Sequence, residues 1–164
     1  MARVKPLFTK RENLRVRSII FLCTANAIRS QMAEAYINAK TNVLKAYSAG
    51  VQPCGYIDKE AIAVMHEIGI DLSSHYSKSV DEFKGKYIDV VVTVSGTAYQ
   101  DCPEWLYQNA MNAHWGFKDV SGESRRRYRV LRNEINAHLD KFLARYNPAH
   151  SDDEVRALLR GLSR

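Results

Sequence analysis

The sequence predicts a three-layer α/β sandwich built on a four-stranded parallel sheet. Short β-branched and apolar runs alternate with helical stretches, the pattern of a parallel sheet covered on both faces. The clearest run, Asp89 to Val94, is a continuous Val-rich segment ending in Thr93 and Val94, suited to burial on both sides. The length, 164 residues, fits one domain.

The elements follow in order. Residues 1–14 read as an N-terminal extension with little periodicity. Val16 to Leu22 is a first, central strand, apolar on both faces. A helix runs from Arg29 to about Lys40, with Met32, Ala33, Tyr36 and Ile37 at helical spacing. Val43 to Ser48 is a second strand, and Gly50 to Gly55 is a loop marked by its glycines and Pro53. Asp58 caps a helix that reaches Ile68, where Gly69 stops it. Asp89 to Val94 is the third strand. Pro103 opens a short helix near Glu104 to Gln108, and Asn112 to Trp115 is the fourth strand. A long helix from about Glu123 to Ala144 puts Tyr128, Leu131, Ile135, Leu139 and Phe142 on one face. Asn147-Pro148 breaks the pattern. The domain is therefore expected over residues 15–146, and residues 147–164 as a tail or short helix over Asp152 to Leu162.

Composition narrows the class. A hydrophobic fraction of 46% and a charged fraction of 26% are ordinary for a globular domain. No apolar run approaches the roughly 20 residues a membrane span takes. The first fourteen residues are basic but lack the apolar region of a signal peptide, so cytoplasmic residence is expected. Cys23, Cys54 and Cys102 form no closed disulfide framework and are expected as free thiols. No Cys/His cluster has metal-ligand spacing, so no metal is expected, and His66, His75, His114, His138 and His150 read as surface or structural. The net charge of +6 includes the run Arg125-Arg126-Arg127 with Arg129 and Arg132. That run, whose one aromatic is Tyr128, lies in the long amphipathic helix and reads as a solvated face rather than a nucleic-acid surface.

The chemistry concentrates after the first strand. In Phe21-Leu22-Cys23-Thr24-Ala25-Asn26-Ala27-Ile28-Arg29-Ser30, five residues separate Cys23 from Arg29. A loop entering a helix N-terminus offers unpaired N–H groups and the positive end of the helix dipole to an anion. The same field favours thiolate over thiol: free cysteine titrates near ~8.5, and such surroundings lower that to roughly 3.5–7.5. The Arg29 guanidinium can grip two oxygens of a tetrahedral anion. Small residues at 24, 25 and 27 permit close approach, Asn26 tolerates left-handed backbone geometry, and Ser30 adds a hydroxyl near the sulfur. The oxyanion cradle is thus Thr24, Ala25, Asn26, Ala27, Ile28, Arg29 and Ser30. In an open parallel sheet ligands bind beyond the carboxyl ends of the strands. Cys23, Ser95 and Asp119 follow the first, third and fourth strands and should face one pocket.

This segment resembles the phosphate-binding loop of the low-molecular-weight protein tyrosine phosphatase superfamily. Arg29-Ser30-Gln31-Met32-Ala33-Glu34-Ala35 is similar to its arsenate reductase branch. Further similar stretches are Tyr47 to Gly50, Ala63 to Asp71, Val91 to Val94 and His114 to Phe117, so the likeness runs from about Ser18 to about Leu143.

The resemblance implies a flavodoxin-like strand order and a bound oxyanion or phosphotyrosine-type substrate, with no bound cofactor, membrane or nucleic acid. It makes Cys23 the nucleophile and Asp119 the acid that protonates a leaving alkoxide. Asp119 is otherwise a plain loop aspartate or a cap for the next helix. The family has proline after that aspartate and glycine before the loop asparagine. Here Val120 and Ala25 stand there, leaving the loop's rigidity open and, if residue 25 needs positive φ, adding strain. Ser48 and Glu34 match supports behind the loop, with Lys78 near them. Trp115 and Phe117 are expected in the core or pocket wall.

A reductase also needs electrons. Thioredoxin-coupled relatives pass a disulfide through two further cysteines. Ser95 stands at the first of those positions and Cys102 at the second, and a serine cannot form a disulfide. Cys102 or Cys54, or an external thiol (thioredoxin, glutaredoxin with glutathione, or mycothiol), would have to supply the electrons. Three readings follow: an arsenate reductase-like enzyme serving arsenical resistance, a phosphatase acting on aryl phosphates through a phosphocysteine, and a non-catalytic anion sensor.

Overall fold

Four parallel strands form the sheet of the computed structural model: β1 (Arg17–Cys23), β2 (Leu44–Gly50), β3 (Val90–Thr93) and β4 (Met111–His114), in the order β2-β1-β3-β4. The structure describes residues 15–164; the expected extension at residues 1–14 lies outside the described residues. Among the described residues six α-helices accompany the strands: α1 (Arg29–Lys40), α2 (Lys59–His66), α3 (Gly96–Asp101), α4 (Glu104–Tyr107), α5 (Arg125–Arg145) and α6 (Asp152–Gly161).

The two-residue period of a strand sorts β1 between the two faces. Ile19, Phe21 and Cys23 join a core with residues of α1, α2, α5 and α6. Ile20 and Leu22 join a smaller core with Val80 and Phe83 of a 3-10 turn, Ala98 of α3 and Leu106 of α4. The fully buried Ile and Phe side chains of β1 explain why its sequence is apolar on both faces.

The strands sit about one residue from their expected bounds. β1 and β2 pair through Cys23 and Gly50, so both strands run to the edge of the site. Gly50 therefore ends a strand rather than opening a loop. Asp58 caps α2 as expected, accepting from Glu60 N at 2.8 Å and Ala61 N at 3.4 Å. The sequence reading did not anticipate α3 or the 3-10 turn; both are too short for a 3.6-residue period to show.

Residues 152–161 form a helix rather than a frayed end. Ser151 and Glu154 make a reciprocal capping box, and Val155, Leu159 and Leu162 are buried in the larger core. The buried Arg17 of β1 reaches the same region through Tyr146 Oη at 3.1 Å and Asp152 Oδ1 at 3.1 Å. The basic run on α5 is partly paired across to α2: Arg125 with Glu60 at 2.6 Å, and Arg129 and Arg132 with Glu67 at 2.7 and 2.8 Å. Among the described residues, no helix is long and apolar enough to cross a membrane.

Strand order places the site. β1 is followed by β2 on one side and has β3 on the other, and the helices leaving β1 and β3 pack on opposite faces. The chain thereby opens a crevice at the carboxyl ends of β1 and β3. The loop from Cys23 to Ser30 lies there.

Candidate active site

The carbonyls of the loop are taken up from outside it. Cys23 O accepts from Val51 N at 3.1 Å, Thr24 O from Gln52 N at 2.9 Å, Ala25 O from Cys54 N at 3.2 Å and Ala27 O from Asp58 N at 3.1 Å. Ser77 Oγ donates to Ala25 O as well, at 2.8 Å. With these carbonyls engaged by residues 51–58, the amides of the turn are left without backbone partners among the described residues. Among the described residues, only the amide of Asn26 in this turn meets a side chain of the protein, the Cys23 sulfur at 3.2 Å.

Asn26 organises the turn. Its φ of 52° is the one positive value at a non-glycine residue among those described. Ala25 is therefore not in the left-handed region, and its methyl group adds no strain there. Asn26 Nδ2 donates to Ser30 Oγ at 2.8 Å and to Ser48 Oγ at 3.0 Å. Ser30 Oγ lies 2.8 Å from Cys23 Sγ. Having accepted from Asn26, the Ser30 hydroxyl is free to donate to the sulfur. Both contacts suit a sulfur carrying negative charge.

A buried polar network backs the turn. Gln31 Nε2 donates to Asn26 O at 3.2 Å, Asn26 Oδ1 at 2.8 Å and Tyr76 O at 3.0 Å. Lys78 N donates to Asn26 Oδ1 at 3.0 Å. Ser48 Oγ donates to Glu34 Oε2 at 3.2 Å, and His75 Nδ1 lies 3.2 Å from the same oxygen and 2.9 Å from Gln31 Oε1. Lys78 Nζ sits 3.5 Å from Ser48 Oγ and 4.0 Å from Glu34 Oε1, close to where the sequence put it. Burial lowers the Lys78 ammonium pKa by more than the Glu34 carboxylate restores.

The other wall comes from the loop after β4. Cys23, Arg29, Thr97, Asp119 and Ser121 all line a pocket of about 280 Å³. Arg29 Nη1 donates to Phe117 O at 3.1 Å. Asp119 Oδ1 accepts from Ser121 N at 2.9 Å and Ser121 Oγ at 2.6 Å. Burial alone would raise the Asp119 pKa, but these two bonds and the Arg29 charge outweigh it and hold the carboxyl below its usual range. In the free protein Asp119 thus closes a tight turn as an ionised group, while Ser124 caps α5. Trp115 and Phe117 are buried core residues.

The remaining candidates lie farther out. Ser95 does not line the pocket; it caps α3 and stands 3.2 Å from Thr24 Oγ1. Cys102 lies half-buried in a separate cavity of about 250 Å³ with Tyr99, His114 and Arg160, and burial pushes its thiol pKa up. Cys54 is exposed beside the turn, its sulfur 3.2 Å from Tyr56 O. The sequence reading missed Gln31, His75, Ser77 and Ser121. It also missed the reason for Gly50, where a Cβ would stand 2.7 Å from Thr24 O. A glycine ending a strand was its only signal.

The fold and site define a class of α/β protein that holds a cysteine sulfur in a tight turn between a strand and a helix. The chain belongs to the low molecular weight phosphotyrosine protein phosphatase family, whose model matches residues 18–152. It is 38% identical over 133 residues to arsenate reductase 1 of Staphylococcus saprophyticus, covering 79% of this chain and 98% of that relative. An arsenate reductase of Staphylococcus aureus strain N315 is similar at the same identity, length and coverage. Among solved structures, an arsenate reductase in the phosphate binding state superposes with a TM-score of 0.68 at 30% identity, covering 80% of this chain and 99% of that one. A low molecular weight protein tyrosine phosphatase from T. tengcongensis gives 0.68 at 27% identity, covering 79% and 99%. The chain is thus an enzyme of this superfamily, similar to its arsenate reductase branch, as its motifs led us to expect.

Proposed function

We propose that the chain is an arsenate reductase-like enzyme in which the Cys23 thiolate attacks arsenate held by the turn. The carrying observation is the turn itself: Cys23, the turn residues Thr24, Ala25, Ala27 and Ile28, and Arg29 line one small pocket, and of the turn's amides only that of Asn26 has a protein partner among the described residues. Among the described residues no aromatic side chain lines that pocket, which suits a bare tetrahedral anion better than an aryl ester. The similarity to arsenate reductases points the same way.

The chemistry balances with two external thiols. The Cys23 sulfur displaces one arsenate oxygen, which leaves as water once protonated, giving a sulfur–arsenic(V) bond. A thiolate then attacks the Cys23 sulfur. The electron pair of the sulfur–arsenic bond returns to arsenic, releasing arsenite and leaving a mixed disulfide on Cys23. A second thiolate attacks the external sulfur of that disulfide, freeing Cys23 and forming the oxidised donor. Ser95 removes the first station of an internal relay. The donor we propose is therefore external: thioredoxin, glutaredoxin with glutathione, or mycothiol, with Cys102 or Cys54 as an internal alternative. No bound cofactor takes part, and a role in arsenical resistance inside the cytoplasm accompanies this reading.

Aryl phosphate hydrolysis through a phosphocysteine is the second reading. It is favoured by one observation, the Asp119 carboxyl on the pocket wall facing the charge of Arg29. Loop amides and Arg29 would hold the phosphoryl oxygens, Cys23 would attack phosphorus, and Asp119 would protonate the leaving oxygen.

A side-by-side assay separates the readings. Arsenate turnover with each thiol donor, absent in Cys23→Ser, is the expected result. Turnover of aryl phosphate alone would replace the first reading with the second. Phosphate binding without either activity would reduce the site to an anion sensor.

A further inference from the structure

We propose that Arg164, from beyond α6, is a positioning residue for the oxyanion site, acting through Phe117 on Arg29. The proposal rests on the reading of the turn as an oxyanion site. Arg164 N donates to His114 O at 3.4 Å, and its Nε donates to Gly116 O at 3.1 Å. Its guanidinium carbon lies 4.4 Å from the centroid of the Phe117 ring, and Nη2 is 3.7 Å from Glu134 Oε2. The backbone of Arg164 thus holds the end of β4, while its cation holds the carbonyl of Gly116 and the face of Phe117.

Phe117 carries that grip to the pocket. Its ring meets His138 edge-on at 5.9 Å, its amide donates to Val94 O at 3.2 Å, and its carbonyl accepts from Arg29 Nη1. With ring and amide fixed, the carbonyl has one position, and it sets where the Arg29 fork points. Asp119 lies two residues further along the same segment. Gly116 leaves room for the brace: a Cβ there would meet His114 Nε2 at 3.2 Å and the Arg164 carbonyl oxygen at 3.9 Å.

The support for the brace lies outside the shared family stretch. The family model's match ends at residue 152, where α6 begins. Buried Val155, Leu159 and Leu162 fix α6 to the core, and Arg164 follows two residues after Leu162, held by its bonds to His114 and Gly116. A guanidinium outside the matched residues thus orients one inside them.

The test compares the wild type with Arg164→Ala, Arg164→Lys and Arg160→Ala. The last removes the same charge from α6 without touching the loop. Two quantities are read: amide hydrogen exchange over residues 116–121, and the affinity for inorganic phosphate by calorimetry. Arg164→Ala is expected to speed exchange in that segment and to weaken phosphate binding about 3- to 10-fold, the net scale of one ordinary hydrogen bond, because Arg164 acts on the site only through Phe117. Arg164→Lys should recover part of the affinity, because it keeps a cation over Phe117 but not the planar fork. Arg160→Ala should match the wild type in both. Unchanged exchange in Arg164→Ala, or equal losses in Arg160→Ala, would overturn the positioning role whatever the enzyme does. A wild type that binds no phosphate would overturn the oxyanion reading itself.

Discussion

The Arg29 guanidinium donates to the Phe117 carbonyl at 3.1 Å across 88 residues of sequence. That bond ties the sulfur-bearing turn to the loop carrying Asp119. A guanidinium held by one nitrogen keeps its other donors for a ligand.

Arg29 should therefore be intolerant of lysine as well as alanine. A lysine keeps the charge but loses the fork that bonds a carbonyl and an oxyanion at once. Loss of such a donor costs on the order of 10²–10³-fold in turnover. The check is kcat/KM of Arg29→Lys with arsenate and with an aryl phosphate; a loss under tenfold in both contradicts the clamp.

Gly50→Ala should cripple the turn from behind. A methyl group there would approach Thr24 O to 2.7 Å, and neither that backbone oxygen nor a Cβ fixed by its own backbone can swing aside. Overpacking of this kind costs about 1–3 kcal/mol. Urea unfolding should show that loss, and phosphate affinity should fall with it because the amides around Thr24 must shift. Wild-type stability and affinity together would show that the turn is looser than its contacts imply.

Ser121→Ala should move the pH dependence of aryl phosphate turnover. The Ser121 hydroxyl is one of the bonds that lower the Asp119 pKa, so removing it raises that pKa. An acid catalyst works while protonated, so activity falls as pH rises through its pKa. The falling limb of kcat/KM should shift to higher pH in the variant. A shift downward, or none, would remove Asp119 from the acid role.

Acid should loosen the packing of α2 on α5. Hydrogen bonding from Arg129, with Arg132 adding to it, lowers the Glu67 pKa to about 2 from an ordinary 4.5. A group whose folded pKa is depressed stabilises the fold above its unfolded pKa, and that contribution fades as pH falls through the folded value. The window is thus between about 4.5 and 2. Thermal unfolding of the wild type should lose more stability across it than that of Glu67→Gln. Parallel curves would mean that the pair contributes nothing measurable.

Much of this was legible in the sequence because it was local. The strand run Ile19 to Leu22, the start of α1 at Arg29 and the Asp58 cap are each set by neighbouring residues. Asn26 was legible for its tolerance of positive φ, which the structure uses. What stayed hidden depends on distant pairing. Gln31 reads as one polar residue in a helix, and its grip on Asn26 emerges only once the turn closes over it. Ser95 looked like a pocket residue from its place after β3, yet its hydroxyl caps α3 and only touches Thr24. Residues 152–161 looked optional because their apolar face has no meaning until β4 and α5 are there to cover it.

The most direct test is protection of Cys23 from alkylation by arsenate or phosphate, followed by peptide mapping. Oxyanion should slow modification of Cys23 in the wild type, leave Cys54 and Cys102 reacting at their own rates, and give no protection in Arg29→Ala. Equal Cys23 labelling with and without oxyanion in the wild type, or full protection without Arg29, would contradict a sulfur seated in an anion cradle closed by that guanidinium.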